Sequence, residues 1–385
     1  MRGRQHGRYV SSVSSDFLWY LPTHGDGRNL VAGAFHAGKS SDRPPDFDYI
    51  KLIALAAESA GFLGTLIPTG SYCEDAWLIA AAVAQHTRRL KPLVAFRPGF
   101  QLPAVAAQTA ASFQRLTGNR LLLNVVTGGS SSEQKSFGDF LDHDARYERT
   151  AEFLSIVRGV WGGKGFNYEG QYFRVENGGL VQPLAAQPTL YFGGASGAAE
   201  KVAAAHADVY LTWGETPPMV KARIDSVRRQ AEAHSREIRF GIRLHVITRN
   251  TEEEAWKEAQ RLLDGIPPGA IENARSQLGS MESVGQSRML ELNGGKRGSV
   301  RDLEVYPNLW AGVGLVRGGA GTALIGSHEQ VAERIAEYEG IGIDTFILSA
   351  YPNLEEAIRV GEDLLPLLAK KVQVEEARRP LVAAS

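Results

Sequence analysis

Short apolar runs alternate with segments of helical periodicity along almost the whole chain. "FLWYLPT" (17–23), "LGTLIPT" (63–69), "LKPLVAFRP" (90–98), "LLLNVVTG" (121–128), "LYFGG" (190–194), "VYLTWG" (209–214), "RFGIRLHVITR" (239–249) and "TFILSA" (345–350) read as buried parallel strands that end in polar or Pro/Gly loops. Between them lie amphipathic patterns such as "FDYIKLIALAAESAG", with Gly61 placed to end that helix. Eight strand-helix units joined by right-handed crossovers close most naturally into a (β/α)₈ TIM barrel, an α/β fold. A doubly wound open sheet is the rival.

Two segments do not fit the repeat. Residues 161–189, "WGGKGFNYEGQYFRVENGGLVQPLAAQP", predict a hairpin-bearing insertion with its turn near Glu169-Gly170. Residues 266–310 are polar and broken by "GIPPGA" and "NGGKRGS", which predicts a long, mobile excursion, with a lid running on to about 326. The organisation expected is a tail over 1–16, one barrel domain over 17–370 and a second tail over 371–385.

A chain of 385 residues suits one barrel with insertions. Its net charge of -1 offers no general attraction to nucleic acid or to an anionic membrane. Cys73 is the only cysteine, so an internal disulfide framework is excluded, which fits a reducing compartment. No apolar stretch has the length of a signal peptide core or a membrane span, and a soluble cytoplasmic protein is expected.

The glycine-rich "GVGLVRGGAGTALIG" (312–326) invites comparison with phosphate-binding loops and fails both templates. Counted from Gly312, the sixth place of G-x-G-x-x-G holds Arg317, and no Lys follows Gly319 or Gly326. What remains is a flexible backbone carrying one cation. In a barrel the working groups sit where strands end, which singles out Cys73 in "IPTGSYCEDAW" and Asn124 and Thr127 in "LNVVTGG". Arg243 and His245, two apart on one strand, project from the same face, and such a pair inside a barrel is costly unless something anionic meets it. "YFGGASG" runs straight into a helical pattern, so Gly194, Ala195 and Ser196 form a turn whose amides suit a phosphate monoester. Asp142, His143 and Asp144 are bunched without a second metal-binding signature, and no metal is expected. No Gly-x-Ser-x-Gly elbow offers a serine nucleophile.

"FLWYLPTHGDGR", "LIPTGSYCEDAWL", "FLDHDARYERTAEF", "LYFGGAS", "LTWGE", "FGIRLHVITR", "SVGQSRM", "NLWAGVGLVRGGAGTALIG" and "YPNLEEAIRVGE" occur in this order. Together they resemble the two-component, reduced-flavin-dependent alkanesulfonate monooxygenases of the bacterial luciferase-like superfamily, over about Phe17 to Leu367. The resemblance implies a barrel that takes reduced FMN from a separate NAD(P)H-dependent FMN reductase, uses O₂, and cleaves the C–S bond of a small organosulfonate to sulfite and an aldehyde. It also implies a homo-oligomer. Carried over by motif, the active-site residues are Cys73, Trp213, Arg243, His245, Tyr351 and a lid arginine, Arg317; FMN is expected to meet Asn124, Thr127, Tyr147 and the turn Gly194, Ala195, Ser196. Competing classes are a flavin- or deazaflavin-dependent reductase of the same superfamily and a non-catalytic flavin- or sulfonate-binding module.

One departure stands out. Where the family pattern has "YPHLEEA", this chain has "YPNLEEA". Asn353 replaces a histidine, and an amide cannot supply a proton near neutral pH but can both donate and accept hydrogen bonds. If the backbone continues extended from Tyr351, Asn353 faces the same space two residues on. With the loop residues between Arg28 and Arg43, that placement suits a pocket able to match hydroxyls and leaves the substrate open between linear alkanesulfonates and a sugar sulfonate such as sulfoquinovose.

Overall fold

The computed structural model describes residues 15–32, 42–294 and 298–369. The expected tails, 1–16 and 371–385, fall almost wholly outside these residues. Eight strands form the barrel: β1 (Asp16–Tyr20), β2 (Gly64–Ile67), β3 (Lys91–Phe96), β4 (Leu122–Val125), β5 (Thr189–Gly193), β6 (Val209–Trp213), β7 (Arg239–Arg249) and β8 (Thr345–Ser349). Each pairs in parallel with the next, and β8 pairs with β1, so the sheet closes on itself. These are the eight apolar runs of the sequence, and the open-sheet alternative is excluded.

Closure explains the continuous hydrophobicity of the strands, since both faces are covered. Leu18, Leu66, Leu93, Leu122, Tyr191, Val209 and Ile347 fill the barrel interior, while the alternate residues pack outward against the helices. Helix boundaries follow local chemistry. Asp46 caps Phe47–Ser59 by accepting from the Tyr49 amide, and Gly61 beyond its end takes a φ of +92°, which glycine tolerates. Asp142 caps His143–Trp161 by accepting from the Ala145 amide, and His143 bonds Asp144, so this acidic cluster serves a helix start.

The hairpin insertion is present as Phe166–Glu169 paired antiparallel with Arg174–Gly178. The excursion from 266 onward is better formed than its polar sequence suggests. It carries helices Ala270–Gly279 and Val284–Asn293 and strands Glu304–Tyr306, Leu309–Trp310 and Ala323–Ser327. Sparse apolar positions suffice: Ile271, Ala274 and Leu278 bury one face against Trp310, Val313 and Leu315 in a second core. The last strand extends the sheet by pairing in parallel with the upper half of β7, from Ala323 opposite His245 to Ser327 opposite Arg249. That pairing fixes the excursion over the C-terminal mouth of the barrel. No helix among the described residues is long and apolar enough to cross a membrane.

Candidate active site

Two spaces lie at the C-terminal ends of the strands. The larger, about 310 Å³, is walled by Asn124, Thr127, Tyr147, Gly194, Ala195, Ser196, Trp213 and Arg243, joined by Arg97, Arg223 and the excursion residues Gln286, Gly318 and Gly319. The smaller, about 10 Å³, is walled by Tyr20, Asp26, His245, Arg317, Ser349, Tyr351 and Asn353. Expected site residues are therefore divided between an outer cavity and an inner pocket. Cys73 walls neither, although its neighbour Tyr72 faces the outer one.

Arg243 and His245 do share a face, as their spacing requires, and Ser349 links them. Arg243 Nη1 donates to Ser349 Oγ at 3.2 Å, and Ser349 Oγ lies 2.9 Å from His245 Nδ1. His245 Nε2 is 3.1 Å from the Ala320 carbonyl, which can only accept, so Nε2 carries the proton and Nδ1 accepts from the serine. Burial, with Arg243 and Arg317 nearby, holds the His245 pKa well below its ordinary value. The imidazole is neutral, both nitrogens are engaged within the protein, and its ring stacks on Tyr351 at 5.4 Å. The Tyr351 hydroxyl is buried and has no hydrogen-bond partner among the described residues.

Arg317 is held at the tip of the loop closed by the Gly314 amide and the Gly321 carbonyl, 2.8 Å apart. Its Nη1 donates to the Ala32 carbonyl and its Nη2 to His24 Nε2, both at 3.0 Å, over the Tyr351 ring. His24 can accept only when that nitrogen is unprotonated, and burial beside Arg317 and Arg243 pushes its pKa down to about 3. Neither Arg243 nor Arg317 is paired with a carboxylate among the described residues. Arg243 instead lies over the Tyr20 ring at 4.2 Å.

Asn353 corrects the expectation of a continuing extended backbone. The strand stops at Ser349, Pro352 caps the helix Asn353–Arg359, and Asn353 opens that helix. Its Nδ2 donates to Asp26 Oδ1 at 3.1 Å, its backbone amide to Asp26 Oδ2 at 2.8 Å, and its Oδ1 accepts from the Ala350 amide at 3.4 Å. Burial raises the pKa of Asp26, against the hydrogen bonds of Tyr49 and Asn353 that pull it down. The amide thus ties the loop after β1 to the loop after β8. Cys73 is likewise quieter than a reactive thiol: burial pushes it up to about 12, although the Thr23 hydroxyl pulls the other way.

One end of the outer cavity is built by β5 and the helix Gly197–His206. Ser196 caps that helix by accepting from the Ala199 amide, and the helix N-terminus faces the same turn. Gly194 has φ +157°, and a Cβ there would come within 2.6 Å of Ala199 Cβ and 3.2 Å of the Tyr147 hydroxyl. The turn stays open because it is glycine. Arg223, paired with Glu215 at 3.0 Å, also donates to the Ala195 carbonyl at 3.4 Å. Open turn, helix N-terminus and cation together fit a phosphate-bearing group.

Several site residues carried no sequence signal of their own. Ser349 is a lone serine at a strand end, and Arg223 lies within the helix Pro217–Ala233. Arg97 immediately follows β3, and His24 and Asp26 lie in the loop after β1, so the rule that polar groups after barrel strands come first could have found them. Arg97 is bound to Glu133 at 2.6 Å, with its guanidinium 5.6 Å from the centres of both the Phe100 and Phe137 rings.

A family model described as luciferase-like monooxygenase matches residues 16–345. Among solved structures the fold is similar to a riboflavin lyase with modified FMN and riboflavin, at 20% identity over 93% of this chain and 92% of that chain, TM-score 0.75. It is similar to the EDTA monooxygenase from Chelativorans sp. BNC1, at 20% identity over 93% and 94%, TM-score 0.72. A long-chain alkane monooxygenase matches at 20% identity over 93% and 92%, TM-score 0.75. At such identities the structural likeness concerns the fold.

Proposed function

Since the chain belongs to the luciferase-like monooxygenase family, we propose that it is a two-component monooxygenase that takes reduced FMN from an NAD(P)H-dependent FMN reductase and cleaves the C–S bond of an organosulfonate. The observation that carries this reading is the pair Arg243, on the wall of the outer cavity, and Arg317, on the wall of the inner pocket, two half-buried guanidinium groups, neither with a carboxylate partner among the described residues. A cation partly withdrawn from water with no counter-ion is unfavourable, and a sulfonate offers a permanent negative charge with three acceptor oxygens. Arg243 faces the outer cavity, so it would meet the sulfonate directly. Arg317 would join after exchanging the Ala32 carbonyl and His24 for ligand oxygens.

FMN would be held by Tyr147, Ser196 and the amides of Gly194 to Ser196 at its phosphate, with Asn124, Thr127 and Trp213 beside its ring system. When bound in the reduced state it supplies the activation of O₂. The chain's own residues do the remaining work. Neutral His245 accepts from Ser349, whose oxygen in turn receives the Arg243 donor, so the guanidinium is held in one orientation. Burial raises the pKa of Tyr351 and keeps its hydroxyl protonated, able to donate to a substrate oxygen. The excursion covers the barrel mouth and excludes water.

Because Asn353 is committed to Asp26, the choice between sugar and alkyl sulfonates no longer rests on it. The test is sulfite release from a panel including octanesulfonate and sulfoquinovose, with FMN, NADH and a generic reductase. Sulfite from at least one member, dependent on the reductase, is expected. Turnover of NADH by the purified chain alone, stimulated by sulfonate, would overturn the two-component reading.

A further inference from the structure

The helix Val284–Asn293 presents two polar side chains inward, Gln286 and Asn293. Gln286 is 1% exposed and forms part of the wall of the outer cavity. Its Oε1 accepts from the Gly319 amide at 2.9 Å, which fixes the orientation of the side-chain amide, and its Nε2 has no hydrogen-bond partner among the described residues. A buried amide nitrogen left unpaired is unfavourable, and its two hydrogens require an acceptor.

Gln286 is held firmly from its own side. Ser283 caps its helix by accepting from the backbone amide of Gln286, and the preceding Gly285 packs so closely on Trp213 that a Cβ would lie 3.0 Å from the indole. Gly319, by contrast, has open space around it, a φ of +86°, and lies two residues from Arg317 in the loop closed between Gly314 and Gly321. Gly318 and Gly319 wall the same cavity. One rigidly mounted side chain therefore touches both the loop that carries Arg317 and the space a ligand would fill.

We propose that Gln286 is a two-sided clasp, its Oε1 placing Arg317 through the Gly319 amide and its Nε2 donating to an oxygen of the sulfonate in the outer cavity. The second half rests on the function proposed above; the first does not. Occupation of the cavity then satisfies the unpaired nitrogen and fastens the loop in one event, making Gln286 a positioning residue for Arg317 and a direct contact to substrate.

Two variants separate the halves. Gln286→Glu keeps an acceptor for the Gly319 amide but replaces the donor with negative charge, whereas Gln286→Met removes both. Amide hydrogen exchange of residues 314–321 is measured without ligand and with FMN plus octanesulfonate or sulfoquinovose, alongside sulfite-release kinetics. Without ligand, Gln286→Glu is expected to exchange as the wild type does and Gln286→Met at least fivefold faster. With ligand, the wild type slows and Gln286→Glu does not, and the KM of Gln286→Glu for sulfonate rises about tenfold or more with kcat changed by less than threefold. Wild-type exchange in ligand-free Gln286→Met overturns the clasp, and wild-type KM with normal ligand protection in Gln286→Glu overturns the substrate contact. If the wild type releases no sulfite from any sulfonate, the proposed function fails, while the ligand-free comparison still decides the clasp.

Discussion

Arg317 is the residue on which the reading of the site is most exposed. Its two visible hydrogen bonds go to Ala32 and His24, yet it has no carboxylate partner among the described residues and lies over Tyr351. If it meets the sulfonate, Arg317→Ala removes a charge-assisted contact worth about 2 to 4 kcal/mol, which lowers sulfite formation roughly 30- to 1000-fold while the far-UV spectrum stays native. Near-normal sulfite formation would remove it from the mechanism. Asn353 makes the opposite case. Its hydrogen bonds to Asp26 and Ala350 assign it a structural task, so Asn353→Ala should lower stability by about 1 to 3 kcal/mol in denaturant melts and shift the ratio of sulfoquinovose to octanesulfonate kcat/KM less than threefold. A shift of tenfold would return it to the pocket. The sequence made Asn353 visible as a departure from a motif but not its partner, because Asp26 lies far away in the chain. Ser349 was invisible for a related reason: its importance comes from lying between Arg243 and His245, which only the register of β7 against β8 creates.

At the scale of elements, legibility followed the solvent environment. The eight barrel strands are covered on both faces and read as apolar runs, so all eight were evident. The helices Ala270–Gly279 and Val284–Asn293 bury narrow faces built from alanine, glycine and single large residues, and their polar remainder reads as loop. The turn between β5 and the helix Gly197–His206 was legible because strand, glycine pair and capping serine are contiguous. The phosphate contact proposed for it rests on the missing side chain of Gly194. Gly194→Ala sets a methyl against Ala199 and the Tyr147 hydroxyl, and FMN dissociation constants measured by fluorescence quenching should rise about tenfold or more. An unchanged constant would move the phosphate elsewhere.

Across the whole molecule, three histidines, His245 buried and His24 and His206 half-buried, set a shared acid response. Burial lowers His24 to about 3 and His206 to about 4, and holds His245 well below the ordinary value. Each is neutral when folded and takes up a proton on unfolding below about pH 6.5, so the unfolded chain binds more protons and stability falls as pH drops from about 6.5 towards 4. Each contributes a slope approaching about 1.4 kcal/mol per pH unit, and urea melts between pH 7 and pH 4.5 should show this decline lessened in His206→Gln. A flat profile would mean that these rings are protonated in the folded protein.

The most direct measurement of the central claim is a single turnover with photoreduced FMN, which needs no reductase. Enzyme in excess over reduced FMN is mixed with oxygenated buffer and a sulfonate from the panel, and sulfite is counted per flavin. The account predicts sulfite approaching one per reduced FMN, none when O₂ is left out, and a large loss in Arg243→Ala. Reduced FMN that binds and reoxidises with no sulfite from any sulfonate, or equal sulfite without O₂, would contradict it.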